Sequence, residues 1–309
     1  MTGANDHDDW DQHWEHYAAA AKYSPTQIYR RWLTMRLLER RGTPHHLVDF
    51  GSGPGDLLDD ATRRWPGAEL LGLELSATGI ELAKEKVPRA EFIQANLESY
   101  QAPDERFVDW GTHATCSEVL EHVNDPVALL RNARSYLQPG ARLVVTVPGG
   151  AMSAFDRHIG HRRHYTPELL EQTFVEAGLE CIMVGGAGFP FFNFYRWFVV
   201  NRGEKVIDDV FASGGKLTLS ARLAMLAFRP LLAISLPRSP WGTQVFGVAV
   251  EPAEEPGRLM ATRGADENDA IKTTAAGSRL WAALPGRAQS DNLPPHGSVL
   301  YRRWRGLHR

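Results

Sequence analysis

Apolar positions follow two alternating patterns along the first 250 residues. Short continuous apolar runs have the length and composition of buried strands, and they lie at 47–50, 69–75, 91–95, 107–116, 142–147 and 180–184. Segments with the length and spacing of helices separate these runs, at 56–64, 78–87, 125–137 and 166–177. The alternation predicts a parallel sheet covered on both faces, and a last run at 243–250 predicts a seventh strand.

The residues before this alternation predict a helical cap. The dipeptide Ser24-Pro25 is typical of a helix start, with serine as the N-cap and proline in the first helical position. The helical spacing that follows extends to about Arg41. Trp14 and Tyr17 belong to a shorter amphipathic segment in front of it.

Composition narrows the class of protein. The 309 residues are 43% hydrophobic and 23% charged, which is ordinary for a soluble globular chain. The formal net charge of −3 gives no reason to expect a nucleic-acid partner. The two cysteines, Cys116 and Cys181, lie in apolar runs, which favours buried thiols in a reducing compartment. The N-terminus lacks a basic segment followed by an apolar one, so we expect a cytoplasmic protein.

A glycine-rich loop follows the first predicted strand. Gly51, Gly53 and Gly55 occupy alternate positions, and Asp49 lies two residues before the first of them. Glycine allows a tight turn and close approach of a ligand, and the helix after the loop begins with unpaired N–H groups. The spacing is not the G-x-G-x-x-G of dinucleotide-binding proteins. A structural turn in another α/β protein remains the alternative at this point.

The second predicted strand ends in an acidic residue. Glu74 follows Gly55 by 19 residues, a separation at which dinucleotide-binding folds place a carboxylate on a ribose. One carboxylate can accept hydrogen bonds from two neighbouring hydroxyl groups. The spacing therefore predicts a nucleoside ligand that spans the glycine loop and the end of the second strand.

The fourth strand leads into the sequence E-V-L-E-H-V, residues 118–123. Together with D-x-G-x-G-x-G at 49–55, it resembles the class I S-adenosylmethionine (SAM)-dependent methyltransferases that act on small molecules, in particular the ubiquinone-biosynthesis enzymes. The resemblance implies a Rossmann-like sheet of seven mostly parallel strands. In the resembled family N-terminal helices also cover the cofactor, which implies that Trp14 and Tyr17 line the site. It also implies that SAM is the cofactor, held by nine residues: Asp49, Gly51, Gly53, Gly55, Glu74, Leu75, Asn96, Leu97 and Glu118. Asn96 replaces the aspartate that is common at the adenine position, which weakens that part of the match.

Residues 151–166 contain the densest group of reactive side chains. Histidines recur every third residue among four charged residues, and three readings stay open: a solvated basic loop, a metal site and an acceptor-binding loop. Adjacent arginines argue against a metal, and the E-x-x-E-H spacing is not that of a helical zinc motif, so no metal is expected. Arg162 and Arg163 suit an anionic acceptor. The candidate catalytic residues are His122, His161, His164 and Tyr165, the histidines for proton removal.

A long insertion separates the sixth and seventh predicted strands, at about 186–242. Its start is unusually aromatic, and Phe191 and Tyr195 are candidates for acceptor binding. Its apolar second half is interrupted by charges and a proline, so it is a poor transmembrane span. The segment 189–236 is expected to be a lid packed on the core, a homodimer surface or a peripheral membrane contact.

These patterns predict a helical cap at 1–44, a methyltransferase domain at 45–251 and a disordered tail at 252–309, with residues 1–12 also disordered. The predicted activity is transfer of a methyl group from SAM to a small-molecule acceptor that is apolar, anionic or lipid-linked. Whether oxygen, nitrogen or carbon receives the methyl group stays open. The alternative is a non-catalytic SAM-binding or partner-binding protein.

Overall fold

A computed structural model of the chain describes residues 9–40, 42–202, 226, 228 and 230–253. Within these residues the helices are α1 (Trp10–Tyr23), α2 (Pro25–Leu38), α3 (Asp56–Arg64), α4 (Ala77–Lys86), α5 (Pro126–Ala133), α6 (Ala154–His158), α7 (Pro167–Glu176) and α8 (Phe191–Arg202). The strands are β1 (His46–Phe50), β2 (Glu69–Glu74), β3 (Glu91–Gln94), β4 (Gly111–Ser117), β5 (Leu137–Pro148), β6 (Glu180–Ala187) and β7 (Gln244–Val250).

The seven strands form one sheet in the order β3-β2-β1-β4-β5-β7-β6. All neighbours are parallel except β7, which lies antiparallel between β5 and β6. The chain order reverses between β1 and β4, the position at which open α/β sheets bind ligands beyond the carboxyl ends of their strands. The predicted Rossmann-like, mostly parallel sheet is confirmed.

Alternate residues of the strands face two separate cores. Val145 of β5 belongs to the main core, which includes Leu130 of α5 and Phe174 of α7. Its neighbour Val144 belongs to the second core, together with Leu33 of α2. A strand that is apolar on both faces is typical of a sheet covered by helices on both sides. The helix α2 is therefore also part of one covering layer.

Several predicted boundaries were wrong. The fourth strand begins at Gly111, because Phe107 ends a short 3₁₀ turn at Glu105–Phe107. The helix expected to reach residue 137 ends at Ala133, because Leu137 already pairs with Gly111 as the start of β5. Helix α1 begins at Trp10, inside the segment expected to be disordered.

Further predictions concerned the start of α2, the two cysteines, the insertion and the tail. Ser24 precedes α2 as predicted, but its hydroxyl contacts the Thr26 hydroxyl rather than a backbone N–H of the helix. Both cysteines are free thiols; Cys116 is buried and Cys181 is partly buried. The tail at 254–309, residues 203–225, 227 and 229 of the insertion, and the Tyr17 side chain lie outside the described residues. Among the described helices, none has the length and apolar character needed to span a membrane.

Candidate active site

The glycine loop between β1 and α3 has a backbone that requires glycine. Gly51, Gly53 and Gly55 have φ angles of +74°, +50° and +77°, in the left-handed region that side chains disfavour. A Cβ atom at Gly51 would overlap the Val119 side chain, and one at Gly53 would lie 2.7 Å from the Trp14 ring. The loop is therefore closely covered by the segment after β4 and by helix α1.

Glu74 ends β2 beside this loop. One of its carboxylate oxygens accepts from the N–H of Gly53 at 2.7 Å, and the other accepts from the N–H of Ser76 at 2.9 Å. Burial raises its pKa, while these hydrogen bonds oppose the change. A carboxylate has about four lone-pair positions. The bonds from Gly53 and Ser76 do not use all of these positions, so Glu74 can still accept from other donors, such as ribose hydroxyls.

Asp49 lies under the loop at the end of β1 and is only 3% exposed. Its carboxylate accepts from the Thr115 hydroxyl on the neighbouring strand β4 at 2.6 Å. Burial raises the pKa of Asp49 to about 7; the Thr115 hydrogen bond opposes this rise, and the nearby charge of Glu74 adds to it. The group therefore changes its charge near neutral pH.

A cluster of imidazole and indole rings lies next to the glycine loop. The His122 ring is 4.7 Å from the rings of both Trp10 and His161, and His161 is 5.3 Å from His164. Trp10 belongs to α1, His122 follows β4, and the other two histidines lie between α6 and α7. Burial is the main cause that lowers the pKa of His122 to about 4 and that of His161 to about 3. These rings are therefore neutral at pH 7.

Asp156 holds the histidine loop together. Its carboxylate accepts from the backbone N–H and the hydroxyl of Ser153, both at 2.8 Å, and pairs with Arg196 of α8 at 3.1 Å. Burial alone would raise the pKa of Asp156, but the hydrogen bonds and the Arg196 charge outweigh it and keep the pKa below its ordinary value. The carboxylate lies 3.9 Å from Nδ1 of His161 and 3.7 Å from Nε2 of His164.

Glu121 is the most isolated acid in this region. It is fully buried, and neither carboxylate oxygen has a hydrogen-bond partner among the described residues. Burial, and then the charge of Glu118, raises its pKa well above the ordinary value. Such a group is costly to bury as an anion, so it favours the protonated form or a nearby cation.

Two groups of side chains have the geometry to hold a metal ion. Glu121, His122 and His161 form one, and Asp156, His161 and His164 form the other, with ligand atoms within 4.8 Å of one another in each group. The expectation of no metal rested on the neighbouring arginines. The histidine spacing had left a metal site open for the second group, whose members all lie within residues 156–164, whereas Glu121 and His122 reach His161 only through tertiary packing.

Residues 17–184, more than half of the chain, match the family model of the methyltransferase domain. This chain belongs to that family. The predicted relationship to the class I SAM-dependent methyltransferases is thereby confirmed.

Individual relatives of this methyltransferase-domain protein match over a shorter stretch. Trans-aconitate 2-methyltransferase of Rhodopseudomonas palustris (strain BisB5) is 30% identical over 105 residues, which cover 34% of this chain and 39% of the relative. Ubiquinone biosynthesis O-methyltransferase of Coxiella burnetii (strain Dugway 5J108-111) is 34% identical over 102 residues, which cover 32% and 41%. The chain thus spans about two fifths of the length of these curated relatives.

A solved structure supports the fold. The cyclase SpnF matches with a TM-score of 0.50 and 17% sequence identity, and the match covers 72% of this chain and 81% of that one. At this identity the likeness concerns architecture alone. The shared architecture covers a longer part of this chain than the sequence alignments with the curated relatives do.

The remaining cofactor candidates have varied surroundings in this family member. Leu75 is 40% exposed beside Glu74. The Asn96 side chain accepts from the N–H of Glu98 at 3.0 Å, and Leu97 packs against the main core. Glu118 has a φ angle of +58°. These positions stay predictions for cofactor contact.

The carboxylate of Glu118 has two protein partners. It pairs with Arg30 of α2 at 2.8 Å and accepts from the Gln244 amide of β7 at 2.8 Å. Arg30 also donates to the Gln244 side chain at 2.8 Å. The triangle connects the cap helix, the turn after β4 and the seventh strand, so Glu118 holds the turn that carries Glu121.

The predicted acceptor-binding residues are distributed around the histidine loop. Arg163 donates to the backbone oxygens of Val123 and Asn124 at 3.1 and 2.7 Å, and Arg162 contacts the Asn124 side chain. The two arginines therefore clamp the turn after His122. The guanidinium groups nearer to the buried acids, Arg30 and Arg196, were not predicted.

Three aromatic candidates differ in burial. Tyr165 is fully buried in the main core, and its hydroxyl donates to the Leu120 oxygen at 3.3 Å, so its geometry suits a structural role. Phe191 packs against the second core at the start of α8. Tyr195 lies edge-on to Phe228 at 5.3 Å, and burial raises its pKa.

Sequence reasoning missed Trp10, Arg30, Glu121, Asp156 and Arg196. Glu121 lay inside the E-V-L-E-H-V motif, so its omission was avoidable. Asp156 lay in the histidine segment at 151–166 but was counted there only as one of the charged residues. Trp10, Arg30 and Arg196 had no local signal, because each is an ordinary polar or aromatic position of a helix. Only the packing of α1, α2, α6 and α8 around the sheet edge brings them to the site.

Proposed function

We propose that this chain transfers a methyl group from SAM to a small-molecule acceptor. The observation that carries the proposal is the contact of α1 with both halves of the site. Trp14 lies on the glycine loop beside Glu74, and Trp10 lies on His122 of the imidazole cluster. Helix α1 therefore lines both the proposed SAM-binding region at the glycine loop and the proposed acceptor-binding region at the histidines.

The residues present fit SAM by their chemistry. Glu74 can still accept from ribose hydroxyls, and the left-handed φ angles of Gly51, Gly53 and Gly55 form a turn without side chains, in which backbone can approach a ligand closely. When bound, SAM supplies an activated methyl group on a sulfonium sulfur. The chain's own contribution is to bind, orient and exclude water, which is how proteins act on reactive cofactors generally.

Calorimetric titration with SAM tests the cofactor half. Glu74→Gln should weaken binding by roughly tenfold or more, because it removes the charge-assisted acceptor of the ribose hydroxyls. Glu69→Gln is the matched control, since Glu69 is an exposed acid at the opposite end of the same strand. Absence of SAM binding by the wild-type protein, or equal binding by both variants, would refute the assignment.

The methyl acceptor is proposed only as a class. The two curated relatives have names that refer to trans-aconitate and to ubiquinone biosynthesis, a polycarboxylate and a quinone pathway. A screen with labelled SAM should therefore include carboxylates, phenols and lipid extracts, read by the mass of the product. Arg163→Ala should lower turnover and leave SAM affinity nearly unchanged if the arginines orient an anionic acceptor, as should Phe191→Ala for an apolar one.

The alternative is a protein that binds SAM without transferring its methyl group. The same fold occurs in SpnF, which is named as a cyclase, so the architecture alone does not specify methyl transfer. Incubation with methyl-labelled SAM and cell extract separates the two cases. Label recovered in a product supports the transferase, whereas label that stays in intact SAM through many equivalents of protein supports the alternative.

An aromatic surface on α8 supports peripheral contact with a membrane. Phe194 and Trp197 are 52% and 60% exposed, and they stack at 5.9 Å. Exposed aromatic rings of this kind are typical of interfacial segments. Sedimentation with anionic liposomes should fall for Trp197→Ala. Unchanged sedimentation together with a shift from dimer to monomer would instead support the homodimer surface.

A further inference from the structure

The hydrogen bonds of the histidine loop determine where its protons lie. Nδ1 of His164 is 3.1 Å from the backbone oxygen of Gly150. A carbonyl oxygen can only accept, so Nδ1 of His164 must carry the proton in this contact. Burial is the main cause that lowers the pKa of His164, which favours the neutral ring. Its Nε2 atom therefore has a free lone pair.

The same reasoning extends to the next ring. Nε2 of His164 lies 3.1 Å from Nδ1 of His161. Since Nε2 can only accept, Nδ1 of His161 must donate, and His161 is neutral as well. Nε2 of His161 is then the atom with the lone pair. The series of hydrogen bonds therefore begins at the backbone oxygen of Gly150 and ends at His161, where Nε2 is the ring atom that can accept a proton.

Burial and hydrogen bonds fix the positions of the His161 and His164 rings. The side chains of His161 and His164 are 8% and 5% exposed. The N–H of His161 donates to the backbone oxygen of Asp156 at 2.9 Å, and the Asp156 carboxylate is fixed by Ser153 and Arg196. A base oriented by a second group, which is in turn fixed by the fold, is the arrangement found around activated catalytic groups.

We propose that Nε2 of His161 accepts the proton that the acceptor loses on methylation, and that His164 is the positioning residue that keeps His161 in the required tautomer. This inference rests on the proposed methyl transfer and selects one base from the three histidines. It applies to an acceptor that has a proton to lose, a hydroxyl or an amine. A carboxylate acceptor would need no such base.

The step balances in atoms and charge. A lone pair of the acceptor oxygen or nitrogen forms the bond to the methyl carbon, and the bonding pair of the S–C bond stays on sulfur. The acceptor proton moves to Nε2 of His161. One positive charge disappears from sulfur as one appears on the imidazole, so the number of charges in the buried site is unchanged.

In the protein without SAM the pKa of His161 is lowered to about 3, so protonating this ring is unfavourable unless another positive charge is lost, as it is from sulfur. Burial is the main cause, and the neighbouring His122, His164 and Arg30 add to it. Asp156, at 3.9 Å from Nδ1, opposes these effects and would stabilise the imidazolium. The fully buried Glu121 is a second acid in the same cluster.

Long-range proton–nitrogen NMR of the full chain tests the tautomer without SAM. Nitrogen-15-labelled protein, stripped of metal by a chelator, should show His161 at pH 7 with its proton on Nδ1, assigned by the loss of its signals in His161→Gln. His164→Gln offers an oxygen near the position of Nε2 and should preserve the tautomer. His164→Leu offers no acceptor and should give a mixture. A wild-type proton on Nε2, or on both nitrogens, would overturn the proposal.

Turnover tests the proton transfer itself. His161→Gln should lower kcat by about 10²-fold or more, the usual contribution of a general base, with SAM affinity unchanged. His164→Leu should lower kcat by a smaller factor, and His164→Gln should restore most of it. The control is His158→Gln, an exposed histidine of the same segment. Unchanged kcat in His161→Gln would refute the base. A wild-type protein that binds SAM but methylates nothing would refute the proposed function, while the tautomer is decided by the spectrum alone.

Discussion

Ionisation of Asp49 works against folding, and replacing it with asparagine should stabilise the protein at alkaline pH. Burial raises the pKa of this carboxyl group from its ordinary value of 3.8 to about 7 in the folded chain. Asparagine has nearly the same shape and can still accept from the Thr115 hydroxyl, which donates to Asp49 at 2.6 Å. The variant therefore removes the charge and keeps the contact.

The size and sign of the effect follow from these pKa values. Between pH 4 and pH 7 the folded state keeps a proton that the unfolded chain releases, so the free energy of unfolding falls as the pH rises through this window. A difference of roughly three pH units, at 1.36 kcal/mol for each, amounts to about 4 kcal/mol. Above pH 7 both states are ionised, and the loss is complete.

Urea unfolding at pH 4.5 and pH 8 measures this effect. Asp49→Asn should gain up to about 4 kcal/mol over the wild type at pH 8 and little at pH 4.5, while its affinity for SAM falls. Thr115→Val removes the donor that favours the carboxylate, so it should steepen the loss between the two pH values. Equal pH dependence of the wild type and Asp49→Asn would refute the reasoning.

Three further changes test other parts of the site. Gly51→Ala should destabilise the chain by about 1–3 kcal/mol, because the residue has a positive φ angle and its new Cβ would overlap Val119. Adding Val119→Ala should recover the part of this loss that comes from the overlap. No recovery in thermal unfolding would contradict that contact. Thr166→Ala removes the N-cap bond of α7 and should cost about 1 kcal/mol in urea unfolding, so an unchanged midpoint would exclude the cap. Glu118→Gln removes the charge partner of Arg30, which keeps its hydrogen bond to Gln244, and should cost about 2 kcal/mol; a neutral result in the same assay would show that the ion pair contributes nothing.

The fold was predictable because its information is local. Apolar runs of strand length between helical segments determine a covered parallel sheet, and a loop such as Gly51 to Gly55 signals its ligand-binding edge through backbone requirements alone. The boundary errors near Gly111 and Ala133 had a tertiary cause. Leu137 pairs with Gly111 in the sheet, and this pairing ends the preceding helix earlier than the sequence pattern indicated.

The site was less predictable for a related reason. Asp156 has an ordinary helical position, and its importance comes from Arg196, which lies 40 residues further along the chain. Trp10 lies in a segment expected to be disordered, yet its ring contacts His122, 112 residues later in the chain. Contacts over such separations leave no local pattern, so a single sequence identifies the reactive side chains without identifying the groups that orient them.

Burial shifts the pKa values of the acidic and imidazole groups throughout the site. It raises the pKa values of Asp49 and Glu121 and lowers those of His122 and His161, so both kinds of group tend toward their neutral forms. The ions that remain are compensated, since Arg30 pairs with Glu118 and Arg196 pairs with Asp156. A site without excess charge does not repel a sulfonium cation. In such a buried site a bound sulfonium would repel a protonated His161, and this repulsion would disappear once the sulfur becomes neutral, so the proposed proton uptake at Nε2 would accompany the loss of the methyl group from sulfur.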